Sequence, residues 1–244
     1  MHKALGYDRL AASYHRIEWL VFGNQLQRAR VALIDQLPNW HRLLILGDGD
    51  GRLLEQLYVH RRACEQRHAL SPQPIEEQYR PWSITSVDHS LAMLRRQQLR
   101  LAATTSSGAA ADAHGGTVRF EHIDALSYTP EAKAYDAIVT PFFLDCFSHA
   151  ELAERLPIWL SGLCSDGAYL HVDFISPRSV WQRPRARALL WAMHVFFRWQ
   201  TGLTNRRLVD SQSIIKQCGL CKATEHISGR GMIAAQIWRF GTAR

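Results

Sequence analysis

The 244-residue sequence predicts an open α/β fold, in which a mostly parallel sheet carries helices on both faces and ends in an antiparallel strand. Two observations support this fold class. Short apolar runs alternate with helical patterns from His41 onward, which is typical of parallel strands joined by helical crossovers. The last two apolar runs are joined instead by Gly229-Arg230-Gly231, a hairpin signal that makes the final strand antiparallel.

Seven strands are predicted, and the first of them, His41–Leu46, directly precedes a glycine-rich loop. It is a continuous apolar run after a polar start, which is the pattern of a strand buried on both faces. The other strands are predicted at Ser83–Asp88, Val118–Ile123, within Tyr135–Phe142, and at Ala168–Ile175, Ala223–Ser228 and Met232–Phe240.

Helical patterns fill most of the connections. Residues 4–37 follow a period of about 3.6 residues and break into two helices at Gly23–Asn24. Polar and low-complexity stretches predict surface loops at 67–82 and 104–116, and a turn at 165–167 precedes the fifth strand. The other helices are predicted from Leu53 past Leu57, from Ser90 as N-cap, over His149–Leu163 and from Asp210 to Cys218.

The net charge of +7 comes from one segment. Residues 176–209 contain seven arginines and no acidic residue, so the remainder of the chain is charge-balanced. Within them, Arg185–Gln200 places apolar and basic side chains on opposite sides of a helical wheel. Such a helix either covers the domain or forms a pocket wall or membrane-facing surface over residues 178–200. No base-reading module accompanies the arginines, so no nucleic-acid partner is expected.

Several classes of protein are excluded by composition. The first residues lack the apolar core of a signal peptide, and the longest apolar stretch, Ala188–Phe197, is half of the roughly 20 residues that a membrane span needs. Five cysteines without an even framework predict reduced thiols and a cytoplasmic location. Cys218 and Cys221 form a CxxC, but a helix end and a strand start are predicted between them, so no metal site is expected.

A glycine-rich loop, Gly47-Asp48-Gly49-Asp50-Gly51, lies between the first strand and a helix. Gly47 and Gly49 allow a sharp turn and a close approach of the backbone to a ligand, because no Cβ intervenes. Ligands of open α/β sheets lie at the carboxyl ends of the strands, next to such helix N-termini. The alternate spacing of the glycines differs from the G-x-G-x-x-G of dinucleotide-dependent oxidoreductases.

Two aspartates end the next two strands. Asp88 can accept hydrogen bonds from both ribose hydroxyls of a nucleoside, and Asp124 ends the third strand in the same way. A helix N-cap or a solvated turn would explain either aspartate alone. Together with the glycine loop, the two aspartates predict a nucleoside site at one edge of the sheet.

In this order the motifs resemble those of the class I S-adenosylmethionine (SAM)-dependent methyltransferases of the small-molecule type, which have a Rossmann-like seven-stranded sheet. LLILGDGDGRLL, SVDHSLAML, HIDAL and YDAIVTPFFLDCF resemble the first four motifs of that family, and SDGAYLHVDF resembles the strand after them. The resemblance implies SAM as cofactor, with Asp88 on the ribose and Asp124 at the adenine amino group. The cofactor-binding residues that it implies are Gly47, Asp48, Gly49, Asp50, Gly51, Asp88, His89, Met93, Asp124, Ala125 and Thr140.

The resemblance also implies a single domain. Its parts are an N-terminal helical lid (1–38), a cofactor-binding core (39–175), the basic aromatic insert (176–209) and a C-terminal helix and hairpin (210–244). The insert falls where the family builds substrate specificity, so the expected acceptor is a small hydrophobic molecule such as a lipid, a quinone-like compound or a secondary metabolite. The residues expected to line its pocket are Tyr7, Tyr14, Phe142, Phe143 and Trp181.

Candidate catalytic residues follow the fourth strand and lie on the fifth. A hydroxyl acceptor benefits from a general base. Asp145 is the first candidate, although it could equally be the N-cap of the next helix. His171 is the second, although a core histidine is the more common explanation at such a position. Asp173 is a further acid near the carboxyl end of the fifth strand.

One departure from the family pattern leaves two alternatives open. Ile45 occupies the position where the family usually has an acid that helps to fix the methionine end of SAM. An apolar residue there also occurs in spermidine synthases, so aminopropyl transfer is one alternative, although the segment 140–143 lacks the acid that those enzymes place after the fourth strand. A non-catalytic scaffold with a methyltransferase-like fold is the other.

Overall fold

The computed structural model describes residues 24–69, 81–107, 116–175 and 209–241. The sequence predictions that lie outside the described residues concern Tyr7, Tyr14, Trp181, residues 1–23 of the lid, residues 176–208 of the basic segment and the middle of both predicted surface loops. The motifs of the cofactor-binding core all fall within the described ranges.

Seven strands of the described residues form one sheet. They are β1 (Arg42–Leu46), β2 (Ser83–Asp88), β3 (Thr117–His122), β4 (Tyr135–Pro141), β5 (Leu163–Phe174), β6 (Leu220–Ser228) and β7 (Ile233–Phe240). Their order across the sheet is β3-β2-β1-β4-β5-β7-β6. Strands β1 to β5 pair in parallel, whereas β7 runs antiparallel to both of its neighbours, β5 and β6. The predicted fold class is confirmed, including its antiparallel last strand.

Helices cover both faces of this sheet, as predicted. The α-helices of the described residues are α1 (Gln25–Val31), α2 (Arg52–Ala69), α3 (Leu91–Ser107), α4 (His149–Leu160) and α5 (Ser211–Gln217). Side chains of α1 and α2 pack into the core on one face, and α3 lies beside α2. Side chains of α4 and α5 pack into the core on the other face.

Strand β1 shows why helices are needed on both faces. Leu43 and Ile45 pack into the core formed with α1 and α2, and Leu44 and Leu46 pack into the core formed with α4. All four side chains are fully buried, and each such burial is worth roughly 1.5–3 kcal/mol relative to exposure. Successive strand residues point to opposite faces, which explains why the first strand is apolar without interruption.

The boundary between α4 and β5 differs from the prediction. Helix α4 ends at Leu160, and β5 begins at Leu163, ahead of the predicted turn at 165–167. The backbone N–H of Tyr135 donates to the carbonyl of Gly162 at 2.8 Å, so pairing with β4 starts before the turn. The register then shifts once along this pair, which accommodates the turn residues within the strand.

Helices α2 and α3 extend into stretches that the sequence predicted as loops. On α3, the Thr104 hydroxyl donates to the carboxylate of Glu55 on α2 at 2.9 Å and lies 3.0 Å from the carbonyl of Arg100. This contact between helices stabilises the last turns of α3. The low-complexity sequence around Thr104 does not predict this contact, because Glu55 lies on another helix.

Helix α4 begins with a capping box. The Ser148 hydroxyl accepts the backbone N–H of Glu151 at 3.2 Å, and the Glu151 carboxylate accepts the backbone N–H of Ser148 at 2.7 Å. We expect Ser148→Ala to lower the free energy of unfolding, measured in urea, by about 1 kcal/mol. Ser161→Ala is the matched control, because Ser161 is exposed at the other end of the helix, and it should change stability by less than about 0.5 kcal/mol. Equal losses in the two variants would contradict this role of Ser148.

The CxxC pair has the local structure that the sequence predicts. Cys218 is the C-cap of α5, and β6 begins at Leu220. None of the five cysteines forms a disulfide. Within the described ranges, no helix has the length and apolar character needed to cross a bilayer.

Candidate functional site

The order of the strands reverses between β1 and β4, so the carboxyl ends of these two strands form the switch point of the sheet, where open α/β sheets have a crevice. Ligands of open α/β sheets bind in this crevice. The glycine loop follows β1, Asp88 ends β2, and the segment 140–143 spans the end of β4. Three of the predicted motifs therefore meet at one edge of the sheet.

The glycines of the loop all have left-handed backbone conformations, with φ of 71° at Gly47, 62° at Gly49 and 86° at Gly51. A Cβ at Gly47 would lie 2.0 Å from Cδ2 of Phe143, and a Cβ at Gly51 would lie 2.9 Å from Cα of Gln97. A Cβ at Gly49 would meet nothing within 4 Å. Gly49 therefore faces open space, where a ligand can approach the backbone closely.

Gln97 of α3 braces the glycine loop. Its Nε2 donates to the carbonyl of Gly49 at 2.9 Å, its Oε1 accepts the hydroxyl of Ser86 at 2.7 Å, and its side chain is fully buried. A buried polar side chain with satisfied hydrogen bonds fixes one geometry of its neighbours. Gln97 was not among the residues predicted for the site. The available signal was its position one turn after Met93 on the buried face of α3, where a polar side chain needs a partner.

Asp48 caps the N-terminus of α2. Its carboxylate accepts the backbone N–H groups of Leu53 at 3.2 Å and Leu54 at 2.7 Å. Burial raises the pKa of Asp48 to about 7, against the opposing effects of these hydrogen bonds and of the positive charge of Arg30. The position at which a helix N-terminus would bind a phosphate is thus filled by a carboxylate of the protein. The loop therefore suits a nucleoside that has no phosphate at this position.

Asp50 ties the loop to α3. Its Oδ2 lies 3.1 Å from Nε of Arg52 and 3.2 Å from Nη2 of Arg100, and Arg100 also donates to the backbone carbonyl of Asp50 at 3.0 Å. Asp48 and Asp50, which were both predicted to contact the cofactor, thus have partners within the protein. The structure gives both carboxylates a part in holding the loop.

Asp88 lies beside the glycine loop. Burial raises the pKa of Asp88, and hydrogen bonds from the backbone N–H groups of Ser90 and Gly49 partly offset this effect. The bond from Ser90 measures 2.9 Å. Nδ1 of His89 lies 3.7 Å from the same carboxylate oxygen. The carboxylate of Asp88 is thus buried at the end of β2, next to the backbone of Gly49.

The loop after β3 lies against Asp88, because the backbone N–H of Ile123 donates to the Asp88 carbonyl at 3.2 Å. Asp124 is exposed, and its carboxylate accepts a backbone N–H two residues further along at 3.0 Å. Ala125 is buried, and its carbonyl accepts Nε1 of Trp159 at 3.0 Å. The structure thus brings the two predicted aspartates into adjoining loops, with Asp124 also forming a solvated turn.

Two large apolar side chains at these loops are exposed, and neither was predicted as a site residue. Leu91, the first residue of α3, is 44% exposed, and Ile123 is 37% exposed. Exposed apolar surface beside a few polar anchors is typical of a small-molecule site. Met93 is instead buried, and its backbone N–H donates to the hydroxyl of Ser90, the predicted N-cap, at 3.3 Å.

A chain of buried polar groups links β4, β5 and α5. Oγ1 of Thr140 lies 2.7 Å from the hydroxyl of Tyr169 and 3.3 Å from Nδ1 of His171, whose Nε2 lies 3.1 Å from the hydroxyl of Ser211. Burial lowers the pKa of His171 to about 3, so the ring is neutral near pH 7. Both of its nitrogens are engaged, which favours the interpretation of His171 as a core residue over that of a general base. The Thr140 hydroxyl is part of the same buried chain.

The two phenylalanines after β4 contact different parts of the protein. Phe142 has a φ of 52°, which is rare for a residue other than glycine, and the guanidinium of Arg30 lies 5.0 Å from its ring centroid. Phe143 packs against Trp159 with centroids 5.7 Å apart and closes the space next to Gly47. Backbone strain of this kind concentrates at functional sites. Both phenylalanines are partly exposed.

Two carboxyl groups interact at the ends of β4 and β5. Asp145 lies in the 3₁₀ turn Leu144–Cys146 and is partly exposed, whereas Asp173 is 5% exposed. Burial raises the pKa of Asp145 to about 6. Burial, together with the negative charge of Asp145, raises the pKa of Asp173 well above its usual range. The interpretation of Asp145 as the N-cap of α4 is wrong, because Ser148 has that role.

No protein-family model and no curated protein matches this chain. Solved structures match it at low sequence identity. The mitomycin 7-O-methyltransferase MmcR matches with a TM-score of 0.59 and 12% identity, over 96% of this chain and 60% of that chain. A TehB-like SAM-dependent methyltransferase from Corynebacterium glutamicum matches with a TM-score of 0.57 and 11% identity, over 96% of this chain and 98% of that chain.

An O-methyltransferase family 2 protein from Planctomyces limnophilus, solved in complex with apigenin, matches with a TM-score of 0.60 and 15% identity, over 96% of this chain and 62% of that chain. This chain spans less than two thirds of that protein and of the mitomycin enzyme. Together with the order of the strands, these likenesses show that the chain has the fold of the class I SAM-dependent methyltransferases.

Proposed function

We propose that this chain transfers the methyl group of SAM to a small hydrophobic molecule. The observation that carries the proposal is the position of Asp88, whose buried carboxylate lies beside the open side of Gly49. A carboxylate can accept both hydroxyls of a ribose, and glycine backbone leaves room for the nucleoside. The fold and the order of the motifs support the same assignment.

The residues present fit SAM as the cofactor. Asp88 would hold the ribose, the exposed side chains of Leu91 and Ile123 offer apolar surface for the adenine, and Asp124 is in the adjoining loop. Asp48 already caps the N-terminus of α2, which suits a cofactor without phosphate groups. SAM supplies a methyl group on a sulfonium centre, which is reactive toward a nucleophile without further activation.

The methionine end of SAM must be held without the usual acid. Ile45 is fully buried in the core formed with α1 and α2, so its side chain does not reach the crevice. Arg30 of α1, whose positive charge acts on Asp48, is a candidate for contact with the methionine carboxylate. The side chain of Arg30 is itself buried, so a charge-assisted bond there would be little weakened by solvent.

At the acceptor end, we assign proton removal to Asp145. It is partly exposed and follows β4, whereas His171 is buried with both nitrogens engaged. A positioned general base contributes typically about 10²–10⁴-fold to the rate. The protein otherwise has to hold donor and acceptor in line, which is an effect of proximity.

A small hydrophobic acceptor is supported by Phe142 and Phe143, which are partly exposed beside the crevice. Solved structures of similar fold include an enzyme named for mitomycin O-methylation and a protein in complex with apigenin. The arginine- and aromatic-rich insert at 176–209 agrees with such an acceptor. Contact of residues 178–200 with a membrane surface and a cytoplasmic location stay predictions from the sequence.

Calorimetric titration of the whole chain with SAM, S-adenosylhomocysteine (SAH) and decarboxylated SAM tests this function. We expect saturable binding of SAM and SAH, and binding of decarboxylated SAM weaker by about tenfold, because one charge-assisted hydrogen bond of at least about 1.4 kcal/mol is lost. Tighter binding of decarboxylated SAM would support aminopropyl transfer, which the acid pair of Asp145 and Asp173 makes the second candidate. Absence of binding to all three would support the scaffold alternative.

A further inference from the structure

The open side of the glycine loop lies at Gly49. The backbone of Gly49 is left-handed, with a φ of 62°, and a Cβ at this position would meet nothing within 4 Å. Glycine adopts positive and negative φ about equally readily, so the residue type alone does not hold this conformation. The geometry of Gly49 therefore depends on the groups that bind the peptide bonds on either side of it.

Two side chains from different elements bind these peptide bonds. The backbone N–H of Gly49 donates to the carboxylate of Asp88 at the end of β2. The backbone carbonyl of Gly49 accepts Nε2 of Gln97, which lies on α3, at 2.9 Å. Asp88 thus fixes the peptide bond before Gly49, and Gln97 fixes the peptide bond after it. A rotation of the backbone at Gly49 would break at least one of these two hydrogen bonds.

Gln97 is itself held in one orientation. The carbonyl of Gly49 can only accept a hydrogen bond, so the amide nitrogen of Gln97 faces it and the amide oxygen is left for the hydroxyl of Ser86, at 2.7 Å. The side chains of Gln97 and Ser86 are both fully buried. The amide therefore cannot turn over or move away without leaving a buried polar group unpaired, which is costly.

The residues on either side of Gly49 are held independently of Gln97. The carboxylate of Asp48 caps α2, and its bond to the backbone N–H of Leu54 measures 2.7 Å. Arg100 of α3 donates to the backbone carbonyl of Asp50 at 3.0 Å and lies 3.2 Å from the carboxylate of the same residue. Removal of the Gln97 amide would therefore release the carbonyl of Gly49 and leave its two neighbours in the loop anchored.

We propose that Gln97 is a positioning residue for the nucleoside half of the cofactor. By binding the carbonyl of Gly49, Gln97 keeps the N–H of Gly49 on Asp88 and keeps the open side of the glycine clear for the nucleoside. Without the amide, Gly49 can adopt other conformations at little cost, so a smaller fraction of the molecules is ready to bind and the apparent affinity falls by that fraction. This inference rests on the proposed function, in which SAM is the cofactor.

Calorimetry on variants of the full chain tests this role with two ligands, SAH and 5′-methylthioadenosine, which has the nucleoside and the sulfur but lacks the amino-acid end. Gln97→Met has a side chain of similar length without the amide, and we expect it to weaken binding of both ligands by about tenfold. Ser86→Ala is the matched control, because it unpairs the amide oxygen and leaves the bond to Gly49. It should lower the midpoint of urea unfolding and change both dissociation constants by less than about twofold.

A double variant separates positioning from stability. Ser86→Ala/Gln97→Met has no unpaired serine hydroxyl, so it should be more stable than Gln97→Met. Its affinity for SAH should nevertheless stay about tenfold below that of the unaltered protein, because the carbonyl of Gly49 is still released. In the protein without ligand, exchange of the Gly49 amide hydrogen, followed by NMR, should be about tenfold faster in both Gln97→Met variants than in Ser86→Ala.

The inference is overturned if affinity recovers together with stability in the double variant, because Gln97 would then have a structural role only. A loss of affinity confined to SAH would place the effect at the amino-acid end and would overturn it too, as would unchanged exchange of the Gly49 amide. If the unaltered protein binds neither ligand, the proposed function fails and the inference falls with it. If the unaltered protein binds both ligands and the variants of Gln97 bind them equally well, only the role of Gln97 is wrong.

Discussion

Replacing Asp88 with alanine should weaken SAM binding by about 100-fold or more. Hydrogen bonds to a charged group contribute roughly 1.5–3 kcal/mol each, and a ribose offers two hydroxyls to this carboxylate. The loss of both is worth at least about 3 kcal/mol, and each 1.4 kcal/mol corresponds to a factor of ten. Titration calorimetry with SAM measures the effect, and thermal unfolding of the variant establishes that it is folded.

Asp136→Ala is the matched control for Asp88→Ala. Asp136 is an aspartate near the start of β4, at the opposite edge of the sheet, where its carboxylate accepts the backbone N–H groups of His41 at 2.6 Å and Arg42 at 2.8 Å. Its removal should lower stability and leave the dissociation constant for SAM within about twofold, because it lies outside the crevice. Equal losses of affinity in the two variants would show that the effect of Asp88→Ala is not local.

Gly47→Ala should destabilise the fold by about 3 kcal/mol. A left-handed backbone costs a residue with a Cβ roughly 1–2 kcal/mol, and overpacking costs typically about 1–3 kcal/mol. Both apply here, because Gly47 has a φ of 71° and its Cβ would lie 2.0 Å from the ring of Phe143. That ring cannot move freely, since it packs against Phe147 and Trp159. The midpoint of urea unfolding reports the loss.

Gly49→Ala is the control for this effect, since its φ of 62° is similar and its Cβ would meet nothing within 4 Å. Gly49→Ala should lower the free energy of unfolding by only roughly 1–2 kcal/mol, which is the cost of a Cβ on a left-handed backbone. It should also weaken SAM binding if the open space beside Gly49 holds the nucleoside. In the double variant Gly47→Ala/Phe143→Leu, the smaller side chain at position 143 should relieve part of the clash and restore part of the lost stability. A Gly47→Ala variant no less stable than Gly49→Ala would contradict the close contact with Phe143.

Much of the fold was predictable because its signals are local. The continuous apolar run of β1, the alternation of strands and helices, and the glycine-containing turn before β7 predicted the order of elements and the antiparallel last strand. The boundaries were less predictable. Helix α3 is longer than predicted because Thr104 bonds to Glu55 on another helix, and β5 begins early because Gly162 accepts a bond from β4.

In the candidate site, the residues at the ends of the strands were predictable, whereas the side chains that hydrogen-bond to the site from other elements were not. Asp88 was recognisable from its place after a buried strand. Gln97 was missed because its partners, Ser86 and Gly49, lie on other elements. His171 was predicted as a possible base, and only its burial and its two hydrogen bonds favour the core interpretation.

The class of fold and the edge of the sheet at which the motifs meet follow from local sequence, because hydrophobic periodicity and glycine placement act over a few neighbouring residues. The tertiary structure decided the roles of the acidic groups. Asp48 and Asp50 hold the glycine loop, Asp88 remains at the open side of it, and Asp145 is brought against Asp173. The physical reason is that the state of a carboxyl group depends on burial and on nearby charges, which belong to residues distant in the chain.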